Sequence, residues 1–302
     1  MNVFTHLETA QSPFDSAVAL GYFDGLHLAH KKIIETVLKS SKSLIPTVFT
    51  FTLNDGETKG DTPFAPLMSE QQRVAEIEKM GVQQLLMPPF SEIKNLTAEE
   101  FFEDVLIKKM RAKKLACGFN FRFGKGNTGD VNLLKTLCEE NGVELVVTPQ
   151  ITFDGKAISS TLIRECLKNG EVEKAEKMLG EEYKIKGEIV HGAGLGNLLG
   201  FPTLNQQALK TPLRYGVYLT KVELENGEFN AITNVGIKPT VNGKTPVAET
   251  HLFDFSGDVY GKTATVKFLK FLRDETKFPT TDHLKTAVLN DIKKAKEILS
   301  AD

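Results

Sequence analysis

Short apolar segments alternate with amphipathic segments through the first 180 residues of the chain. Residues 17–23 (AVALGYF) form an apolar run, a segment compatible with a helix follows from about 28 to 40, and residues 46–53 are rich in the β-branched and aromatic residues typical of strands. The same criteria predict helices at about 69–80 and 97–110, strands at 83–87, 114–118 and 143–148, and a helix-rich stretch at 159–179. This alternation predicts an α/β fold in which helices cover both faces of a parallel sheet.

The pattern changes near residue 181, after the helix that ends at Gly180. From 184 onward the chain contains several short alternating runs separated by turns with glycine, such as ENGE at 225–228, which predict an antiparallel barrel or sandwich. A final amphipathic helix is predicted near 280–299. We therefore expect two domains, residues 1–182 and residues 183–302, and the length of the chain favours the same division.

The composition of the chain argues against several classes of function. The chain has 302 residues, 41% of them hydrophobic and 25% charged, and its formal net charge of −2 supplies no overall positive field for nucleic acid or an anionic membrane. We expect a cytoplasmic protein, because no run of about 18 apolar residues occurs and residues 1–16 do not resemble a secretory signal. The three cysteines lack CxxC spacing, which favours buried, reduced thiols over a zinc site.

The first candidate site follows the first predicted strand, in the segment GYFDGLHLAH. Asp24, Gly25, His27 and His30 lie where a strand ends and a helix begins, and the unpaired N–H groups at a helix start favour phosphate binding. His27 and His30 are three residues apart, so both imidazoles can donate hydrogen bonds to a triphosphate. An isolated HxxH is also common as an ordinary surface or core pair, which keeps a structural alternative open.

Two further segments carry polar groups suited to a nucleotide. The segment GFNFRFGKGNTGD, 118–130, has a glycine-rich loop that carries Asn120 and Arg122. The segment ISSTLIR, 158–164, predicts a helix start with hydroxyl groups as cap and first-turn donors. Its candidate residues are Ser159, Ser160, Thr161 and Arg164. A flexible loop and an ordinary capped helix are the structural alternatives.

The second candidate site begins with GAGLGNLLGFPTLN, 192–205. Gly194 and Gly196 permit close approach of the backbone to ATP phosphates, while Thr203 and Asn205 offer oxygen ligands for Mg²⁺. Downstream, Glu249 lies in the strand-like segment AETHLFDF, where a carboxylate can take the proton of an alcohol that attacks a phosphate. A loop between strands and a solvated charge are the structural alternatives.

Taken in order, the motifs between about 15 and 180 resemble the nucleotidylyltransferase module of bacterial FAD synthetases. The resemblance implies a Rossmann-like HIGH-type domain that binds ATP and FMN and releases pyrophosphate. It places Gly21, Asp24, His27 and His30 beside the ATP phosphates, and the helix at 159–164 as the second half of the ATP clamp. It also implies that Asn120 and Arg122 lie between the nucleotide and FMN.

The segments from about 183 to 300 resemble the riboflavin kinase module, a six-stranded barrel fused behind the adenylyltransferase in bifunctional prokaryotic enzymes. GFPTLN, the Glu249 strand, GDVYG and FLRDETKF carry this similarity. The resemblance implies Thr203 and Asn205 near Mg²⁺ and ATP, Glu249 as the base on the riboflavin 5′-hydroxyl, and Arg273 near the flavin. Asn234 and Gly236 are expected to shape the nucleotide pocket.

The expected function is therefore FAD synthesis from riboflavin through FMN, with ATP as co-substrate and small molecules as partners. Two other readings stay open: an FAD synthetase with a degenerate kinase module, and a flavin- or nucleotide-binding regulator without turnover. In the family that the motifs resemble, the strand at 46–53 runs into a segment with proline and histidine, whereas residues 54–60 of this chain read NDGETKG. This difference favours the regulator, whereas the two histidines and Glu249 favour an enzyme. The sequence leaves the oligomeric state open.

Overall fold

The structure, a computed structural model, describes residues 1–53, 65–191, 200–207, 211–240 and 243–301. The chain forms two compact units, the first made of Met1–Phe64 and Ser69–Ser159, the second of Ala65–Met68 and Ser160–Asp302. The compact units thus meet between Ser159 and Ser160 in sequence. The functional division at 182/183 stays a prediction, because it assigns activities rather than contacts.

A six-stranded parallel sheet forms the centre of the first unit. Its strands are β1 (Asn2–Phe4), β2 (Ser16–Leu20), β3 (Ile45–Phe49), β4 (Gln84–Leu86), β5 (Ala112–Gly118) and β6 (Glu144–Thr148). They lie in the order β1-β4-β3-β2-β5-β6, and each adjacent pair is parallel. All five residues of β2 are buried, so both faces of the central strand are covered. The predicted α/β fold is confirmed, while β1 is a strand that the short segment NVF did not reveal.

Helices connect these strands. They are α1 (Leu28–Leu38), α2 (Glu70–Lys79), α3 (Phe90–Ile93), α4 (Ala98–Glu100), a π-helix (Phe101–Lys109) and α5 (Val131–Asn141). The helix predicted at 97–110 therefore changes its winding, and its first turn carries a capping box between Thr97 and Glu100. The π-helix presents two adjacent buried pairs, Phe101 with Phe102 and Val105 with Leu106, to the core under the sheet. A short hairpin of β7 (Thr152–Phe153) and β8 (Lys156–Ala157) ends the unit.

The second unit contains a closed antiparallel barrel. After α6 (Ser160–Lys168) and α7 (Val172–Leu179) come β9 (Tyr183–Val190), β10 (Leu204–Gln207), β11 (Gly216–Leu224), β12 (Gly227–Thr240), β13 (Gly243–Leu252), β14 (Thr263–Asp274) and α8 (Thr281–Ala301). The strands close in the order β10-β13-β12-β11-β14-β9. The barrel and the final helix were both predicted and are confirmed. Strand β10 lies in a segment that we interpreted as a loop, because its four residues are too few to show alternation.

Three threonines form a hydrogen-bonded chain inside the barrel. Thr220, Thr233 and Thr250 are fully buried, and the hydroxyl of Thr233 lies 2.8 Å from that of Thr220 and 2.9 Å from that of Thr250. On the outside, α8 packs over an apolar cluster that includes Val217, Ile232 and Ala295. Because residues alternate along a strand, the neighbours of the threonines face outward. In the described part of the chain, no helix is both long enough and apolar enough to cross a membrane.

Thr233→Val removes the central hydroxyl of this chain without changing the side-chain shape. We expect a loss of about 2 kcal/mol in the free energy of unfolding of the barrel, because the hydroxyls of Thr220 and Thr250 lose their shared partner. Near-UV circular dichroism follows this unit, since four of the five tyrosines, all but Tyr22, lie in it.

The triple variant Thr220→Val/Thr233→Val/Thr250→Val removes every member of the chain and should be close to neutral. Thr263→Val makes the same chemical change at an exposed position of β14 and serves as the control. A triple variant that loses about three times as much stability as Thr233→Val would contradict the coupled chain.

Candidate active sites

The first candidate site lies at the carboxyl end of β2, the strand at which the order of strand addition reverses. The chain continues from β2 to β3 on one side, and it later returns to place β5 on the other side of β2. The crevice at such a topological switch point is where open α/β sheets bind their ligands. The segment of Asp24 to His30 follows β2, and the loop of Asn120 and Arg122 follows β5. Two predicted site segments that are far apart in sequence therefore follow neighbouring strands.

The turn between β2 and α1 has an unusual backbone conformation. Phe23, Gly25 and Leu26 have positive φ angles of 55°, 82° and 42°, a region that costs a non-glycine residue on the order of 1–3 kcal/mol. The side chains of Phe23 and Leu26 are buried to 0% and 1% exposure, which holds this backbone in place. Glycine at position 21 leaves room for the Phe23 side chain, because a Cβ there would lie 2.9 Å from the Phe23 ring. The packing thus determines the shape of the turn.

His27 and His30 form a compact pair at the start of α1. His27 is the N-cap residue, and its Nδ1 accepts a hydrogen bond of 3.3 Å from the backbone N–H of His30. The two rings stack with centroids 3.6 Å apart, and the Phe23 ring meets His30 edge-on at 5.2 Å. The structure thus brings the two predicted catalytic histidines together. It also shows that one first-turn N–H is already occupied, contrary to our expectation that these groups are unpaired.

The electrostatics of His27 follow from its burial. Burial lowers the pKa of its imidazole to about 4, so His27 is neutral at pH 7. Because Nδ1 accepts a hydrogen bond, the proton of the neutral ring lies on Nε2, which can donate to a phosphate oxygen. His27 can therefore act as a hydrogen-bond donor at neutral pH, but not as a cation.

Asp24 and Gly25 lie within the same turn. Asp24 is buried to 3% exposure, and its charge helps to raise the pKa of Tyr22, an effect led by desolvation of the phenol and opposed by Arg73. The positive φ of Gly25 provides the bend that leads the backbone toward His27. Their roles at the ATP phosphates remain predictions.

The loop after β5 places both predicted flavin residues at the surface. Asn120 and Arg122 are exposed, and Arg122 Nη1 lies 3.8 Å from a carboxylate oxygen of Asp130, the N-cap residue of α5. Gly129 supports the loop, since a Cβ there would lie 2.8 Å from the Phe123 ring. A long, exposed ion pair of this kind contributes little and leaves Arg122 able to contact a ligand.

The four residues of the ISSTLIR segment lie around the first turns of α6. Ser160 begins the helix, Ser159 precedes it, and the side chain of Thr161 is exposed. Arg164 Nε donates a 2.8 Å hydrogen bond to the carbonyl oxygen of Ala65, within the second unit. The helix start was predicted correctly, and ATP binding by these four residues remains a prediction.

In the barrel, strand register places the predicted kinase residues in one row. Asn205 of β10 pairs with Glu249 of β13, and Glu249 pairs with Asn234 of β12. Directly paired residues of antiparallel strands project from the same face, and Thr250 faces inward, so these three side chains share the outer face. Asn205 is nevertheless 4% exposed. The row joins an amide, a carboxylate and a second amide.

The segment before β10 packs against the same strand. His251, two residues after Glu249, has Nδ1 3.0 Å from the carbonyl oxygen of Pro202, and its ring meets that of Phe201 edge-on at 5.6 Å. Thr203 follows Pro202 directly and lies two residues before Asn205 in the chain. Gly194 and Gly196 lie outside the described residues, so their role at the ATP phosphates stays a prediction.

Arg273 is held by an acidic residue of α8. Its Nε and Nη2 bind the carboxylate of Asp291 at 2.9 and 2.7 Å, and its Nη1 donates to the carbonyl oxygen of Asp274 at 3.0 Å. Asp291 is buried, and the guanidinium lies 5.6 Å from the centroid of the Phe278 ring. These bonds fix the guanidinium between α8 and the end of β14. The position of Arg273 near the flavin remains a prediction.

Gly236 lies two residues after Asn234. A Cβ at this position would meet the carboxylate of Glu275, an exposed, flexible side chain that follows β14 and can move aside. Glycine therefore admits the Glu275 side chain against the backbone of β12. A role of Gly236 in shaping a nucleotide pocket is consistent with this approach and remains a prediction.

Sequence reasoning missed three residues that support these sites. Thr50 and Arg73 both donate hydrogen bonds to the carbonyl oxygen of Tyr22, and Asp291 holds Arg273. In the sequence, Arg73 has one available signal: it lies four residues before Ile77 and so shares the buried face of a polar helix. Asp291 has a comparable signal, because it lies four residues before Ala295 and so shares the buried face of α8.

Comparisons with known proteins find one matching family for the parallel-sheet part of the chain and another for the barrel part. The profile of the FAD synthetase family matches residues 9–162, and the profile of the riboflavin kinase family matches residues 179–299. The bifunctional riboflavin kinase/FMN adenylyltransferase of Haemophilus influenzae is 34% identical over 292 residues, which cover 94% of each chain. The enzyme of the same description from Bacillus subtilis is 33% identical over 293 residues, with 93% and 91% covered.

A solved structure extends the similarity to the fold of the whole chain. A crystal structure described as a macrolide-efflux protein from Streptococcus pneumoniae matches with a TM-score of 0.84 and 31% identity, covering 97% of this chain and 98% of that one. The fold and the two family matches define a two-part transferase. The chain belongs to the bifunctional riboflavin kinase/FMN adenylyltransferase family, as its sequence motifs predicted, and it is an enzyme of FAD biosynthesis.

The low pKa of His27 makes the stability of the first unit depend on pH. The folded pKa of about 4 lies below the ordinary value of 6.5, so the unfolded chain binds more protons between these values and stability falls as the pH falls through this window. We expect a contribution of about 2 kcal/mol to be lost between pH 7.5 and pH 5. Urea unfolding at several pH values measures it.

His27→Gln should remove this part of the pH dependence, whatever its effect on absolute stability. His283→Gln, the same change at an exposed imidazole of α8, should leave the slope unchanged. Equal slopes for the wild-type protein and His27→Gln would show that His27 is not held in its neutral form.

Proposed function

We propose that the chain converts riboflavin to FMN in its barrel unit and FMN to FAD in its parallel-sheet unit, with ATP as co-substrate at both sites. The observation that carries the proposal is the end-to-end match to relatives described by both activities, over 94% of the chain. The geometry supports it, since two predicted site segments of the first unit follow the neighbouring strands β2 and β5, and Asn205, Glu249 and Asn234 share one face of the barrel. The proposal includes the cytoplasmic location that we expected from the sequence.

In the adenylylation step, an oxygen of the FMN phosphate attacks the α-phosphorus of ATP. The bond from that phosphorus to the bridging oxygen of the β-phosphate breaks, and pyrophosphate leaves. The helix start at α1 and the Nε2–H of His27 stabilise charge on the phosphate oxygens. His30 is held beside His27 by stacking and by the cap, which fixes its position for a second contact. No covalent enzyme intermediate is needed.

In the kinase step, Glu249 accepts the proton of the riboflavin 5′-hydroxyl as that oxygen attacks the γ-phosphorus of ATP, and ADP leaves. Asn205 would provide an amide oxygen on the residue paired with Glu249, and Thr203, two residues earlier, would add a hydroxyl. This set of oxygen donors fits Mg²⁺, which binds through one or two carboxylates together with substrate phosphates. The bound ion would offset the negative charge of the triphosphate. Arg273 is proposed to face the flavin.

The products formed from riboflavin and Mg-ATP distinguish the proposal from its alternatives. FAD that accumulates from riboflavin requires both activities in the purified chain. FMN as the final product means that the parallel-sheet unit does not adenylylate, and FAD formed from added FMN but not from riboflavin means that the kinase unit is degenerate. ATP that stays intact with either flavin supports a regulator without turnover.

His30→Ala should lower FAD formation from FMN by about 10²- to 10³-fold, because a contact to developing charge is lost. Riboflavin phosphorylation by the same preparation should stay unchanged, since it takes place in the other unit. His6→Ala, at an exposed histidine of the same unit, is the matched control and should retain both activities. Equal losses of both activities in His30→Ala would argue against separate sites.

Glu249→Gln should show the reverse pattern. Riboflavin phosphorylation should fall by about 10²-fold or more, because glutamine cannot accept the proton, while FMN adenylylation continues. Glu188→Gln changes an exposed glutamate on another strand of the barrel and should have no effect. Full kinase activity in Glu249→Gln would exclude Glu249 as the base.

A further inference from the structure

Arg73 is a buried cation in the first unit that none of the proposed chemical steps uses. It lies in the first half of α2 and is 3% exposed, whereas most arginines keep the guanidinium in water. Burial of a charge is costly unless hydrogen bonds and nearby partners compensate for it. The contacts that compensate for Arg73 therefore indicate what the residue does.

These contacts lead to the loops that follow β2 and β3. Nη1 of Arg73 donates a 2.8 Å hydrogen bond to the carbonyl oxygen of Tyr22, directly after β2. Nη2 donates one of 2.9 Å to the carbonyl oxygen of Phe51, which follows β3. Nη2 also lies 3.7 Å from Sδ of Met87. The Arg73 guanidinium thus joins the segments that follow two neighbouring strands. The segment after β2 begins the strained turn that ends at His27.

Three further contacts hold Tyr22 in place. The hydroxyl of Thr50 donates a second hydrogen bond, of 2.8 Å, to the carbonyl oxygen of Tyr22. The Tyr22 ring lies 4.8 Å from the Arg73 guanidinium carbon and 4.8 Å from the centroid of the Phe51 ring. Arg73 also lowers the pKa of the Tyr22 phenol, against the stronger effect of desolvation. The carbonyl of Tyr22, one residue before the positive φ of Phe23, is therefore held from two sides.

Direct contact of Arg73 with a substrate does not fit this arrangement. Its two terminal nitrogens are engaged with backbone carbonyl oxygens, and the whole side chain is buried in the described structure. A residue in this setting acts on a reaction by fixing the backbone to which reacting groups are attached. Small displacements of such groups are costly, since a misplacement of about 1 Å can reduce a rate by about 10²-fold.

We infer that Arg73 is a positioning residue for FMN adenylylation, which joins the exits of β2 and β3 and so fixes the turn that receives the ATP phosphates. This inference rests on the function proposed above. Lysine keeps the positive charge but replaces the planar fork with one ammonium group, which cannot reproduce the paired geometry. Glutamine keeps polar atoms but loses the charge.

The test measures FAD formation from FMN by full-length Arg73→Lys and Arg73→Gln, at temperatures at least 15 °C below the first unfolding transition of each variant, so that all molecules compared are folded. We expect kcat to fall about 10- to 100-fold while KM for ATP and for FMN changes less than about threefold. Arg111→Lys, at an exposed arginine of the same unit paired with Asp15, should leave kcat unchanged.

Two results would overturn the inference. A wild-type kcat in folded Arg73→Lys and Arg73→Gln would show that Arg73 serves stability and nothing more. A large rise in KM with kcat retained would assign Arg73 to substrate binding instead. Failure of the proposed function looks different, because the wild-type enzyme would then form no FAD from FMN, or His30→Ala would retain full activity.

Thr50→Val provides a second test, which applies even if the Arg73 variants do not fold. It removes the other hydrogen bond to the Tyr22 carbonyl and keeps the β-branched shape, and we expect kcat to fall about fivefold. In the double variant with Arg73→Lys, the loss should be smaller than the product of the single losses, because both donors act on one oxygen. An unchanged kcat in Thr50→Val, or a loss in the double variant equal to that product, would contradict a shared clamp.

Discussion

The turn after β2 has a backbone conformation that two of its residues disfavour, and the packing beneath it maintains that conformation. Phe23 and Leu26 have positive φ angles although neither is glycine, and both side chains are fully buried. Their burial offsets the backbone strain, since each large apolar side chain contributes about 2 kcal/mol when it leaves water. The positions of His27 and His30 depend on this turn. The chemistry of the first unit therefore depends on apolar contacts that never meet a substrate.

The strands of the barrel carry polar groups on both of their faces, and each face holds them in a different way. Inside, the buried hydroxyls of Thr220, Thr233 and Thr250 provide hydrogen-bond partners for one another. Outside, the row of Asn205, Glu249 and Asn234 has its spacing fixed by strand register. If one of these strands slipped by one residue, its own member of the row would turn inward. Strand register thus determines both the interior packing and the spacing of the outer row, so even a short strand such as β10 can hold a predicted site residue in place.

The sequence was informative where a pattern repeats or a local rule applies. Five strands of the first unit, the barrel and the last helix could be located, because periodicity needs only neighbours along the chain. The start of α1 with its two histidines could be located for the same reason. Arg73 and Asp291 could not, since each acquires its role from a partner that is distant in sequence: Tyr22 and Phe51 for the first, Arg273 for the second. The π-winding of Phe101–Lys109 was equally invisible, because its apolar residues also fit an ordinary helix.

The order of strands in the first unit has a consequence for biosynthesis of the protein. Strand β2 pairs with β3 within about 30 residues of chain, but its other edge waits for β5, whose register joins Ser16 to Ala112. At a synthesis rate of about 5–20 residues per second, that edge stays open for on the order of ten seconds on the ribosome. It exposes Ala17, Val18 and Ala19, which are fully buried in the finished fold. An unpaired strand edge is a template for wrong pairing, so this part of the chain is exposed to mispairing until β5 has been synthesised.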